Sequence, residues 1–270
     1  MRGSRRTLQF AWFGAVLLFL LSGVLLAAYK GDRRLIAELA ERVDGGRTLT
    51  KDQRFALYVG FAHRELRDPS YDEIQSGLVR FYYRFNPLHP GPGDVVRWGS
   101  HHRGPCGSHS RVVIAMLESR GVPSRVRLLL DESGKSIHTV VECLADGRWV
   151  IGDAAFGIAF RQRDGRPATA EYLATDTAFF HAQVDTVPGY HPEYNYDSTT
   201  LLNWRKIPVI LPAIHDVLER MLGPRRVANI VRPEIWMWPQ LFYSLVCLGF
   251  SLVSALWAWR HSAAARRRAA

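Results

Sequence analysis

No residue carries a charge between Thr7 and Tyr29, nor between Ile235 and Trp259. A helix rises 1.5 Å per residue, so either stretch can cross a hydrocarbon core of about 30 Å. Inside lipid each backbone group must pair within its own segment, which leaves a helix as the only form for a single span. The rest of the chain must then fold as a separate domain between two anchors. Trp236 and Trp238 stand at one end of the second stretch and Trp257 and Trp259 at the other, as in an interfacial aromatic belt. A buried core helix is the competing reading there, and the length and the basic tail speak against it. For the first stretch the competitor is a signal peptide cut after Leu26-Ala27-Ala28. Its apolar run exceeds the roughly 7–15 residues of a signal core, so an uncleaved anchor is expected.

Of 270 residues, 35 are Lys or Arg and 25 Asp or Glu, a formal net charge of +10. The excess gathers at the termini, in Arg2, Arg5 and Arg6 and in Arg260, Arg266, Arg267 and Arg268. Basic flanks beside apolar runs mark the cytoplasmic side, so the charge points to membrane lipid and away from nucleic acid. The pattern implies a two-pass protein of the cytoplasmic (inner) membrane, with both termini cytoplasmic and the domain from about Lys30 to Glu234 extracytoplasmic. Lys30, Arg33 and Arg34 weaken the asymmetry at the first anchor. The expected divisions are an anchor at 1–30, a helical part at 31–90, a core at 91–200, an amphipathic juxtamembrane segment at 201–234, a second span at 235–259 and a basic tail at 260–270.

Within the domain, Leu35, Ile36, Leu39, Ala40 and Val43 repeat at helical spacing over 32–43, and Gly45-Gly46 ends the run. Thr50 with Gln53, and Ser70 with Glu73, are capping-box signals that open helices through about Leu66 and Arg84. Pro87 to Gly93 reads as a loop. Gly107 to Arg120 reads as a helix with Val113, Met116 and Leu117 inward, closed by Gly121 and Pro123. Ser124–Leu130, Ile137–Leu144 and Arg148–Asp153 read as strands, the last two joined at Ala145-Asp146-Gly147 by a hairpin. Arg161 to Pro167 reads as a polar loop and Glu171 to Val184 as a helix. Pro188 to Asp197 reads as an aromatic loop. Pro212–Leu222 is an amphipathic helix whose stripe of Ile214, Val217, Leu218 and Met221 can pack on the domain or lie on the membrane surface.

Chemistry concentrates at Gly104-Pro105-Cys106-Gly107, directly ahead of a helix. Unpaired N–H groups in a first helical turn favour a thiolate, and the Cys106 amide can serve as an oxyanion donor. His138 is placed to take the thiol proton and Asp153 to orient the imidazole. Glu142 shares a strand face with His138 and competes with Asp153 for that role. Other readings stay open. Cys106 can be a buried structural cysteine, or His101, His102, Cys106 and His109 can hold a metal, although their spacing matches no standard zinc pattern. A Cys106–Cys143 disulfide would disable the nucleophile, but strand parity turns Cys143 away from His138. Cys247, inside the second apolar run, reads as packing.

Gly104 to Val126, with His138-Thr139-Val140-Val141-Glu142 and Arg148-Trp149-Val150-Ile151-Gly152-Asp153, resembles the core of the transglutaminase-like superfamily. The resemblance implies an α+β, papain-like fold in which the Cys helix packs on an antiparallel sheet carrying His and Asp. It implies a Cys106–His138–Asp153 triad working through a thioester, as a cysteine protease or amidase or as a transglutaminase-type acyltransferase, with no cofactor. Val140 stands where many members have an aromatic residue and Ala154 where proline is common. Trp98 is the candidate second oxyanion donor. The implied partner is a protein or peptide-like substrate of the cell envelope. Tyr190, Tyr194 and Tyr196 are candidate substrate-binding residues, where aromatic rings can stack on sugars or fill their own core. A non-catalytic member that binds a cell-surface polymer is the alternative.

Overall fold

The computed structural model describes residues 2–66, 90–99, 105–202, 210–231 and 237–267. Two compact units result, Met1–Asp32 with Trp238–Ala270, and Arg33–Met237.

The first unit pairs the start of helix α1 (Arg2–Asp44) with the last helix, α9 (Pro239–Arg267). Both are long and apolar enough to cross a membrane. They run antiparallel along small residues seven apart. Ser251 Oγ donates to the Ala15 carbonyl at 2.7 Å, and Ser244 Oγ donates to the Ser22 carbonyl at 2.9 Å, with the two hydroxyls 3.0 Å apart. Small residues let apolar helices approach, and hydroxyls join them where water is absent. At one end Gln240 donates to Asp32 Oδ2 at 3.0 Å, and Tyr29 meets Trp238 edge to face.

The anchor at 1–30 and the amphipathic run at 32–43 are one unbroken helix. Gly31 costs a helix interior only about 1 kcal/mol relative to alanine, too little to break well-formed turns on both sides. The second span likewise starts at Pro239, with proline at the first helical position, and continues past Trp259 to Arg267. Trp236 lies outside the described residues.

In the second unit, α1 ends where Gly45 and Gly46 take positive φ. Asp44, in its last turn, accepts from Tyr58 Oη at 2.8 Å and pairs with Arg54 and Arg120, each at 3.2 Å. Burial and then the Asp44 hydrogen bond push the Tyr58 phenol up to about 12. Helix α2 (Lys51–Glu65) carries the full Thr50–Gln53 capping box. The Ser70–Glu73 helix lies outside the described residues. Helix α3 (Pro92–Trp98) stands where a loop was expected as far as Gly93. Pro92 takes the first helical position and Asp94 Oδ2 accepts from the Gly91 N–H at 3.1 Å, a start signal written in residues that otherwise mark turns.

Helix α4 (Pro105–Ser119) is buried on every side from Ser108 to Leu117. Gly121 N–H to Glu118 O and Val122 N–H to Leu117 O close it in a Schellman motif, with Gly121 at φ 68°. Strands β1 (Ser124–Leu130), β2 (Ser136–Ala145), β3 (Arg148–Asp153), β4 (Ile158–Ala159) and β5 (Thr199–Thr200) form an antiparallel sheet in the order β4-β3-β2-β1-β5. The β2–β3 turn is two residues, Asp146 and Gly147, both left-handed, which matches the twist of the strands.

Alternation gives the sheet two faces. Val141, Cys143, Val150 and Gly152 lie on the face met by α4 and α2. A Cβ on Gly152 would come within 2.9 Å of Phe55 Cζ. Leu129, Val140 and Ile151 lie on the other, packed with Phe160, Ala168, Leu173, Phe180, Val184 and Tyr196. The expected helix at 171–184 is instead α5 (Ala170–Thr175) and α6 (Thr177–Val184). Asp176 breaks them with a non-helical backbone and caps α6 through the Phe179 N–H. Helix α7 (Ile210–Leu222) leaves Ile214, Val217 and Met221 exposed, and α8 (Pro224–Ala228) follows it unforeseen.

Candidate active site

Cys106 enters the first turn of α4, His138 stands near the start of β2, and Asp153 ends β3. The β2–β3 hairpin brings His138 Nε2 to 2.6 Å from Asp153 Oδ2, with both residues buried. The other carboxylate oxygen, Oδ1, accepts from the Ala155 and Phe156 N–H groups at 3.0 and 3.3 Å. Asp153 is thus held from both sides, and its grip on Nε2 leaves Nδ1 for the thiol. The Cys106 side chain hydrogen-bonds His138 and accepts from the Gly107 N–H.

Burial by itself raises the Cys106 pKa. The hydrogen bond and charge of His138, with the Gly107 N–H, outweigh it and bring the thiol below its usual value. Burial pulls His138 down, and the Asp153 charge and hydrogen bond, followed by Cys106, override it and lift the imidazole to about 9. Each group thus favours the charged form of the other, a thiolate beside an imidazolium. The Cys106 N–H, among the unpaired donors of a first helical turn, faces no intrahelical acceptor.

Glu142 is not the orienter. Its carboxylate is fully buried between Arg125 Nε and Arg127 Nε, each at 2.6 Å. Arg127 also donates to Thr199 Oγ1, which ties β1 to β5. Three tyrosines of the aromatic loop divide. Tyr196 is buried against Phe160 and Phe180 and so belongs to the core rather than to a substrate surface. Tyr190, half-buried, backs Phe156 and Phe180. Tyr194 lies flat on His138. Sequence reasoning missed that stack, because 55 intervening residues hide it from any local pattern.

Trp98 ends α3 half exposed. Of the metal alternative, His109 is buried in α4, and His101 and His102 lie outside the described residues, as does Gly104. All three cysteines are free thiols. Cys143 sits on the face away from His138, its pKa pushed up to about 12 chiefly by burial.

Residues 71–154 match the model of the transglutaminase-like superfamily. No curated protein matches the chain. Among solved structures, a candidate cysteine protease from Cytophaga hutchinsonii is similar at 12% identity and a TM-score of 0.33, over 50% of this chain and 40% of that one. The family match spans both Cys106 and His138 and reaches Asp153.

Proposed function

We propose that this protein is a membrane-anchored thiol enzyme that opens amide or peptide bonds through a thioester. The observation that carries the reading is the hydrogen-bonded series Cys106, His138, Asp153 at the head of a buried helix. The Cys106 thiolate attacks the carbonyl carbon, and the carbonyl oxygen takes the negative charge beside the Cys106 N–H, with Trp98 as candidate second donor. His138 then gives its proton to the departing amine, leaving an acyl-Cys106 thioester and a neutral imidazole. Water or a second amine attacks the thioester while His138 takes its proton, and the thiolate returns. Asp153 keeps the ring oriented throughout.

Two apolar helices support attachment to a membrane. The basic termini support a cytoplasmic position for both ends, an extracytoplasmic domain and a peptide-like substrate of the cell envelope. Protease protection with tags at both ends checks that topology, and digestion of the tags from outside would reverse it.

Iodoacetamide labelling of the purified chain tests the chemistry. Cys106 is expected to alkylate selectively at pH 6–7, and His138→Ala to slow it by about tenfold or more. Equal, slow labelling in both proteins would favour a fold kept only for binding.

A further inference from the structure

The edges of the His138 ring are taken by Asp153 and Cys106, and one of its faces is taken as well. The Tyr194 ring centroid lies 4.1 Å from that of His138, with the planes 12° apart. Phe156 meets the same imidazole at 5.8 Å and 50°. Tyr190 supports both rings, 4.8 Å from Phe156 and 5.5 Å from Tyr194. The Tyr194 N–H donates to the His191 carbonyl at 3.0 Å, so the backbone that carries the ring is itself held. Burial, then the charge of Cys106, raises the Tyr194 phenol.

We propose that Tyr194 is a positioning residue for His138. Its ring fixes the plane of the imidazole between the thiol and the carboxylate, and its π face favours the imidazolium that keeps Cys106 ionised. This rests on the thiol-enzyme reading. The hydroxyl has no part in the role, so phenylalanine should replace tyrosine without loss, whereas leucine fills the space but offers no aromatic face.

The test is the pH profile of Cys106 alkylation in the full chain, for the wild type and for Tyr194→Phe, Tyr194→Leu and Tyr194→Ala. Tyr194→Phe is expected to overlay the wild type. Tyr194→Leu and Tyr194→Ala are expected to move the acid limb upward, with labelling at pH 6 about three- to tenfold slower and the alkaline plateau unchanged. A general loosening of the fold would instead alter the plateau. If Tyr194→Ala fails to fold, the Phe and Leu variants decide between them. Leu and Phe profiles that both overlay the wild type, while His138→Ala still slows labelling, would overturn the role of Tyr194 alone. A wild type with no His138-dependent acceleration would instead overturn the thiol-enzyme reading beneath it.

Discussion

Asp153 bears on the charge of the proposed thiol–imidazole pair through His138. His138 is buried, and burial alone would leave it neutral; the Asp153 carboxylate is the largest influence lifting it to about 9. Asp153→Asn removes that charge, so the imidazole pKa falls and the proton has nowhere to stay except on sulfur. Thiolate is then present only at higher pH. Alkylation of Cys106 at neutral pH should drop by about tenfold or more and recover as pH rises, read as a rightward shift of the rate profile. An unshifted profile would show that Asp153 does not set the pair. Cys143 is the internal control. Its thiol, pushed up to about 12 by burial, should label only after unfolding, as mass spectrometry of the labelled peptides will show.

At the scale of elements, the hairpin between β2 and β3 holds His138 and Asp153, and α2 braces it from behind. Gly152 is where they touch. A methyl there would meet Phe55 Cζ at 2.9 Å and the Ile158 carbonyl at 3.0 Å, an ordered backbone atom and a buried ring that have little room to yield. Gly152→Ala should cost about 1–3 kcal/mol in urea unfolding. Stability equal to the wild type would mean that the contact relaxes freely. The hairpin was readable in sequence because its signal is local: an Asp-Gly pair between two alternating runs. The same holds for the Thr50–Gln53 cap and for Gly121 at the end of α4. What sequence missed depends on competition or distance. Pro92 and Gly93 signal a turn until Asp94 is seen capping behind them. Asp176 reads as one more helical residue until its side chain takes the Phe179 N–H. Glu142 shares a face with His138, as parity said, but the arginines that claim it come from the neighbouring strand. The order and spacing of Cys106, His138 and Asp153 were legible, while the Tyr194 ring on His138 was not.

For the whole molecule, the ends matter as much as the centre. The two apolar helices meet through Ser22 with Ser244 and Ala15 with Ser251, and each interhelical hydrogen bond in lipid is worth about 0.6–2 kcal/mol. The double variant Ser22→Cys, Ser244→Cys should therefore form a disulfide within one chain in membranes under mild oxidation. Cross-links found only between chains, or none, would contradict the pairing. The joined serines are 222 residues apart. At a synthesis rate of roughly 5–20 residues per second, the first helix is made on the order of ten to forty-five seconds before its partner exists. Through that interval the Ser22 hydroxyl must find another partner, its own backbone among them. Closure of the hairpin thus belongs among the last events of biogenesis, after the ribosome has nearly finished.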